Sequence, residues 1–247
     1  MTTRTCSSPA SAIARSAVAL LLLAAVADAQ PGTVTVTVSP ARDAAAAGLV
    51  DIRTLAPDIA LDMRYAGADN FTGRRVPGYD APTCYLLAPA ATALAAVEAE
   101  LHADGYALRV FDCYRPVQAV RAFVAWAHDP TEHSRKALHY PGLDKPALLD
   151  GYIAETSGHS RAATVDLTLL DCRSGPCVAL DMGTGFDFFG PRAHTDAADI
   201  SAVQRANRQQ LRAAMGRHGF ANYPLEWWHY TLRPEPDPHT AYDVPVR

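Results

Sequence analysis

The order in which helical and extended patterns follow one another is the strongest constraint on this chain. The first clear helix pattern runs from Pro89 to Asp104, opened by proline, filled with Ala, Leu and Glu, and followed by Gly105 where a C-terminal cap belongs. A strand pattern follows at once, Tyr106 to Cys113, with Leu108, Val110 and Phe111 suited to a buried sheet. Pro116 opens a second helix through Val120 and Phe123 to about His128. Ala163 to Leu170 is β-rich, Ser201 to His218 is a long helix ending at Gly219, and a last strand lies around Trp228 to Leu232. Upstream, Val50 to Tyr65 alternates loosely around Pro57 and reads as one or two extended segments. Gly67 to Pro82 reads as a long loop, and Asp129 to Ser157 as a polar, proline-punctuated stretch. Helices and strands in mixed order, with few βαβ units, predict an α+β single domain: an antiparallel sheet flanked by helices. With 49% hydrophobic and 19% charged residues the chain can bury an ordinary core.

The N-terminus has another character. Arg4 and Arg15 precede an apolar run, Ser16 to Ala27, and Ala27-Asp28-Ala29 fits a small-x-small cleavage site, so residues 1–29 are expected to be a signal peptide and Gln30 the mature terminus. The run is shorter than the roughly 20 residues a bilayer span needs, so no membrane span is expected in the mature chain. Residues 30–48, rich in Thr, Val, Pro and Ala without a periodic apolar face, are expected to be a flexible tail before a domain at 49–247. Export to the periplasm or beyond agrees with the cysteines. Of five, cleavage removes Cys6 and leaves Cys84, Cys113, Cys172 and Cys177. Cys172 and Cys177 bracket a turn-forming Arg-Ser-Gly-Pro, which favours Cys172–Cys177 and leaves Cys84 for Cys113, although three pairings exist in principle. A formal charge of −4 and a pI near 6.1 offer no basic face, which sets nucleic acid aside as a partner.

Three constellations carry chemistry. In Ser157-Gly158-His159 through Asp166, a histidine in a glycine-containing loop precedes an aspartate that opens the β-rich run. In Glu226-Trp227-Trp228-His229 a carboxylate stands three residues before an imidazole, walled by rings that exclude water and raise a carboxylate towards the range of a general base. Alone, each has an ordinary structural reading, a lone core histidine or a core tryptophan pair. Together, His159, Asp166 and His229 are the nitrogen and oxygen donors that zinc takes in catalytic sites, with a fourth position left for water, although other divalent ions accept the same set. Glu226 is then the candidate base. One geometric condition follows: residues three apart on a flat strand face opposite sides, so Glu226 and His229 converge only if Trp227 and Trp228 sit in a bend or turn. The third constellation, Asp112-Cys113-Tyr114-Arg115-Pro116, sets Arg115 at a strand-to-helix junction, where its guanidinium could face a developing oxyanion or simply pair with a carboxylate.

These motifs, in this order, resemble the zinc D-alanyl-D-alanine dipeptidases of the M15 peptidase family, the group that includes the vancomycin-resistance dipeptidase. The likeness extends to Asp62-Met63-Arg64-Tyr65, Asp69-Asn70-Phe71-Thr72-Gly73, Asp166-Leu167-Thr168-Leu169, and Asp181-Met182-Gly183-Thr184 with Phe186-Asp187, spanning residues 51 to 233. It implies one zinc per chain on His159, Asp166 and His229, between sheet and loops, with Glu226 as catalytic base and acid and Arg115 stabilising the transition state. It further implies that Ser157 and Asp187 hold the free amine of a small dipeptide, with Tyr65 near the site. Two alternatives remain open: a peptidoglycan D,D- or L,D-carboxypeptidase, and a non-catalytic, zinc-containing cell-wall-binding module. The chain departs from the family pattern at Ala162, where glycine is usual, at Thr164, where alanine is usual, and in an insertion at Cys172 to Cys177. If position 162 needs a positive φ, its methyl group is a cost.

Overall fold

In the computed structural model, the description covers residues 1–3 and 35–247, and the expected signal peptide lies outside the described residues apart from its first three. Residues 35–247 lie in one unit. In chain order its strands and helices are β1 (Thr37–Val38), β2 (Leu49–Asp51), β3 (Ala60–Leu61), β4 (Tyr85–Leu87), α1 (Ala88–Ala103), β5 (Tyr106–Asp112), α2 (Val117–His128), α3 (Lys136–His139), α4 (Lys145–Leu148), β6 (Thr164–Asp171), β7 (Val178–Ala179), α5 (Ala202–Arg217), β8 (Phe220–Asn222), β9 (His229–Leu232) and β10 (Thr240–Ala241).

The main sheet runs β3-β5-β6-β9-β8, with β7 also on β6, and every pairing is antiparallel except β3 with β5. The expectation of an α+β fold on an antiparallel sheet is met. β6 is central because its sequence, Thr-Val-Asp-Leu-Thr-Leu-Leu-Asp, suits burial on both faces, and all but its last residue are buried. α1 packs on β5 through Leu94, Val97 and Leu101, and its turn into β5 uses Gly105 at φ +77°, a conformation that glycine adopts without penalty. α5 starts on a reciprocal cap: Ser201 Oγ accepts from the Gln204 amide, and the Gln204 side chain accepts from the Ser201 amide. Its Leu211, Ala214 and Met215 are buried, and it packs on α1 and β8.

Four stretches differ from expectation. Residues 35–48 carry β1, which pairs parallel with β10, and Ala47 is buried; the Thr-Val alternation finds its partner some 200 residues away, a contact that local periodicity does not reveal. The polar stretch 129–157 contains α3 and α4, each four residues long and too short to show a helical period. Lys145 of α4 is buried, its ammonium donating to the carbonyls of Trp126 and Asp129 at the end of α2. The other two are β4 and β8, three-residue strands too short to show a period. Both favoured disulfides form, Cys84–Cys113 and Cys172–Cys177, with Cα atoms 5.3 and 4.1 Å apart.

Candidate active site

The sheet register builds the site. Asp112 of β5 lies opposite Asp166 of β6, and Asp166 lies opposite His229 of β9, so three chemistry-bearing residues stand in one row across three strands. A register shift between Val110 and Asp112 brings Asp112 into that row. His159 comes from a single 3₁₀ turn, Gly158–Arg161, just before β6; Ser157 caps it by accepting from the His159 amide at 3.2 Å. The chain then re-enters β6 through Ala162 at φ 55° and ψ 33°, so the position does require the left-handed conformation that a methyl group disfavours.

The condition on Glu226 and His229 is met. Residues 224 to 228 form turns rather than a strand: the Glu226 amide donates to the Tyr223 carbonyl at 3.1 Å and the His229 amide to the Glu226 carbonyl at 3.3 Å. Asn222 fixes the bend, its side-chain amide donating to the carbonyls of Glu226 and His229 at 3.0 and 3.1 Å. As a result Glu226 Oε2 lies 3.4 Å from His229 Nδ1.

His159 Nε2, His229 Nδ1 and the Asp166 carboxylate converge. His159 Nε2 is 3.2 Å from His229 Nδ1 and 3.2 Å from Asp166 Oδ2, and Asp166 Oδ1 is 3.1 Å from His229 Nδ1. His159 Nδ1–H donates to the Cys113 carbonyl at 2.6 Å, which fixes the tautomer and turns the Nε2 lone pair towards its two neighbours. Asp166 Oδ1 is buried without a hydrogen-bond partner. Electron-pair donors facing one another around an orphaned carboxylate oxygen are what a divalent cation satisfies, and these three residues could hold one. Burial lowers the His229 pKa, but the Asp166 carboxylate more than reverses this and the net shift is upward, a measure of how strongly the site favours positive charge.

Around this group the remaining side chains are tuned by burial. Desolvation pushes Glu226 up to about 7. Burial opposes the charge on Arg115, yet Asp112 holds its pKa well above the ordinary value, so it stays a cation. Its Nε donates to Asp112 Oδ2 at 2.9 Å, its Nη2 stands 3.5 Å from Asp166 Oδ2, and its guanidinium lies over the Tyr65 and Phe123 rings. Asp187 is buried and shifted well upward, first by desolvation and then by Asp166; both of its carboxylate oxygens accept from the Tyr65 hydroxyl at 3.0 Å.

One cavity of about 210 Å³ is lined by all eight residues expected from sequence: Tyr65, Arg115, Ser157, His159, Asp166, Asp187, Glu226 and His229. Sequence reading gave no role to Asp112, which anchors Arg115 and accepts from the Tyr79 hydroxyl at 2.7 Å, although it stood in the quoted Asp-Cys-Tyr-Arg-Pro motif. It also missed Tyr152 and Tyr223, which line the cavity from the loop and the bend, and no local pattern marks either.

The sequence matches the peptidase M15 family, described as D-ala-D-ala dipeptidase, over residues 45–247. The chain belongs to this family. Among curated family members, a D-alanyl-D-alanine dipeptidase of Streptomyces coelicolor is 42% identical over 193 residues, covering 78% of this chain and 95% of that one. A D-alanyl-D-alanine dipeptidase of Enterococcus faecium is 40% identical over 187 residues, covering 75% and 92%. A solved structure of a vancomycin-resistance D,D-pentapeptidase in complex with Zn(II) aligns with a TM-score of 0.37 at 17% identity, over 60% of this chain and 73% of that one, a likeness too loose to place any residue. Among the described residues, no helix is long and apolar enough to cross a membrane.

Proposed function

We propose that this chain hydrolyses D-alanyl-D-alanine, or a similar D,D-dipeptide, to free D-amino acids, with one zinc ion on His159, Asp166 and His229. The observation that carries the reading is one small cavity holding a three-donor cluster, a buried carboxyl beside it and a second buried carboxyl, Asp187, in its wall. Family membership and the names of the relatives support it. Zinc bound there would supply Lewis acidity, polarising the scissile carbonyl and lowering the pKa of water.

The chain's own residues would do the rest. Glu226 accepts a proton from the attacking water and passes it to the leaving amine, so that one water and one peptide bond become a carboxylate and an ammonium. Its pKa near 7 suits both directions of transfer. Arg115, a fixed cation, faces the negative charge that grows on the carbonyl oxygen. Asp187, Tyr65 and Ser157 receive the substrate ammonium, and a charge pair in a desolvated wall favours a free amine over an acylated one. Trp228, Phe71 and Phe189 keep the cavity dry. Two disulfides support an exported protein acting in cell-wall peptide recycling or scavenging, in the periplasm or outside the cell.

The test is release of free alanine from D-Ala-D-Ala, L-Ala-L-Ala and a D-Ala-D-Ala-terminated pentapeptide, with chelator and with zinc restored. Chelator-sensitive release from the D,D-dipeptide alone is expected. Release from the pentapeptide would replace the reading with a carboxypeptidase, and silence on all three with a binding module.

A further inference from the structure

The segment that carries Asp187 is held in two independent ways. Its ends are tied to α5 by Arg208, whose buried guanidinium donates to the carbonyls of Met182, Arg192 and His194 at 2.7, 2.8 and 2.6 Å. Between those anchors the chain turns through Asp187 itself at φ +57°, a left-handed conformation that costs a residue with a Cβ, although aspartate adopts it more readily than most. A disfavoured backbone persists only where its surroundings fix it. Here the fixing residue is His139, at the end of α3. Its Nδ1–H donates to the Asp187 carbonyl at 3.0 Å, and its own carbonyl accepts from the Phe189 amide at 2.6 Å. One residue thus holds the turn at two points, the Asp187 carbonyl and the Phe189 amide that follows it, while the carboxylate of Asp187 is aimed at the Tyr65 hydroxyl. His139 is itself buried and is not part of the cavity wall, so it touches neither the donor cluster nor a molecule bound there.

We propose that His139 is a positioning residue that sets the aim of the Asp187 carboxylate and thereby the affinity of the site for the free ammonium group of its substrate. The inference rests on the reading of Asp187 as the partner of that ammonium. Without the imidazole donor the Asp187 carbonyl is buried without a partner, the turn relaxes towards an ordinary φ, and the carboxylate swings with it. Arg208 continues to hold the ends of the segment, so the defect stays local. Asparagine at 139 places an N–H near the position of Nδ1 and so keeps the donor.

The experiment measures kcat and KM for D-Ala-D-Ala, together with zinc content and the thermal midpoint, for wild type, His139→Ala, His139→Asn and Asp187→Asn. The expected result is a KM raised about tenfold in His139→Ala, the size of one lost buried hydrogen bond, with kcat changed less than threefold and full zinc content. His139→Asn is expected to return KM to within about threefold of wild type. If Asp187→Asn raises KM and His139→Ala does not, the positioning role is overturned while the reading of Asp187 stands. If Asp187→Asn leaves KM unchanged, the ammonium reading fails and this inference with it. A His139→Ala protein that loses zinc or kcat instead of affinity, or an Asn variant that fails to restore KM, marks a general structural role and also overturns the proposal.

Discussion

The Cys84–Cys113 bond closes a loop of sequence separation 29, and both cysteines are fully buried. Replacing both by alanine releases that loop in the unfolded chain, and the chain-entropy relation puts the loss at ~3.6 kcal/mol. The Cys172–Cys177 bond spans a separation of only 5, is much more exposed, and on the same relation contributes ~2 kcal/mol. For a domain of this size each kcal/mol moves the midpoint by roughly 2–4 °C, so the two double variants should melt roughly 7–14 °C and 4–8 °C below wild type. The first bond also lies against the site. The Cys113 carbonyl accepts from His159 Nδ1 at 2.6 Å, and the neighbouring Tyr114 amide donates to the Tyr85 carbonyl at 3.0 Å. Loosening that strand end should weaken zinc retention about 10- to 100-fold, as loss of a group that orients a metal-bound histidine does. The second bond, at the far end of β6 from Asp166, should leave zinc affinity unchanged. Calorimetry of metal-free protein, paired with competition for zinc by a chromogenic chelator, reads both quantities. The reasoning is refuted if the short-loop variant costs as much stability as the long-loop one, or if both retain zinc equally.

Glu226 and Ala162 give four further expected outcomes. If Glu226 is the base, as proposed, it acts only when ionised, and burial pushes it up to about 7, so kcat/KM should fall as pH drops through about 7 or somewhat lower, a bound cation favouring the ionised form. Glu226→Gln should lose about 10²–10⁴ in kcat while keeping its zinc, and loss of zinc instead would make Glu226 a ligand. At Ala162, glycine relieves a left-handed conformation worth ~1–2 kcal/mol but removes a buried methyl worth ~0.8, so Ala162→Gly should stay within about 1 kcal/mol of wild type in urea. Ala162→Val, which adds branching to the same buried, left-handed position, should lose about 2–4 kcal/mol, and a tolerated valine would show that the turn is not constrained.

What could be read from the sequence, and what could not, divides along the range of the interactions that decide it. α1, α2 and α5 were legible because a helix is announced locally, by Pro89, Gly105, Pro116 and Gly219 at or next to its ends. The short disulfide was legible because its turn lies between its cysteines. β1, β4 and β8 were not, since strands of two or three residues have no period and exist only through partners that sequence does not place beside them.

The site shows the same division within a few ångströms. The donor types were readable because metal chemistry restricts them, and the turn at Trp227 and Trp228 was required in advance by the face-alternation of a strand. What makes them one site is register. Asp166 sits on a strand buried on both faces, with Asp112 to one side and His229 to the other, so the rigid middle of the sheet sets the position of one donor and of the carboxylate that holds Arg115. His159 and Glu226 come from turns, and each turn is fixed by hydrogen bonds back to that row: His159 to the Cys113 carbonyl beside Asp112, and the Glu226 bend through Asn222 to the His229 carbonyl. A one-residue slip of β9 against β6 would turn His229 to the opposite face and leave the other donors where they are. The pairing that fixes this register is therefore as much a condition of the proposed chemistry as the identity of the candidate donors, and no single motif in the sequence contains it.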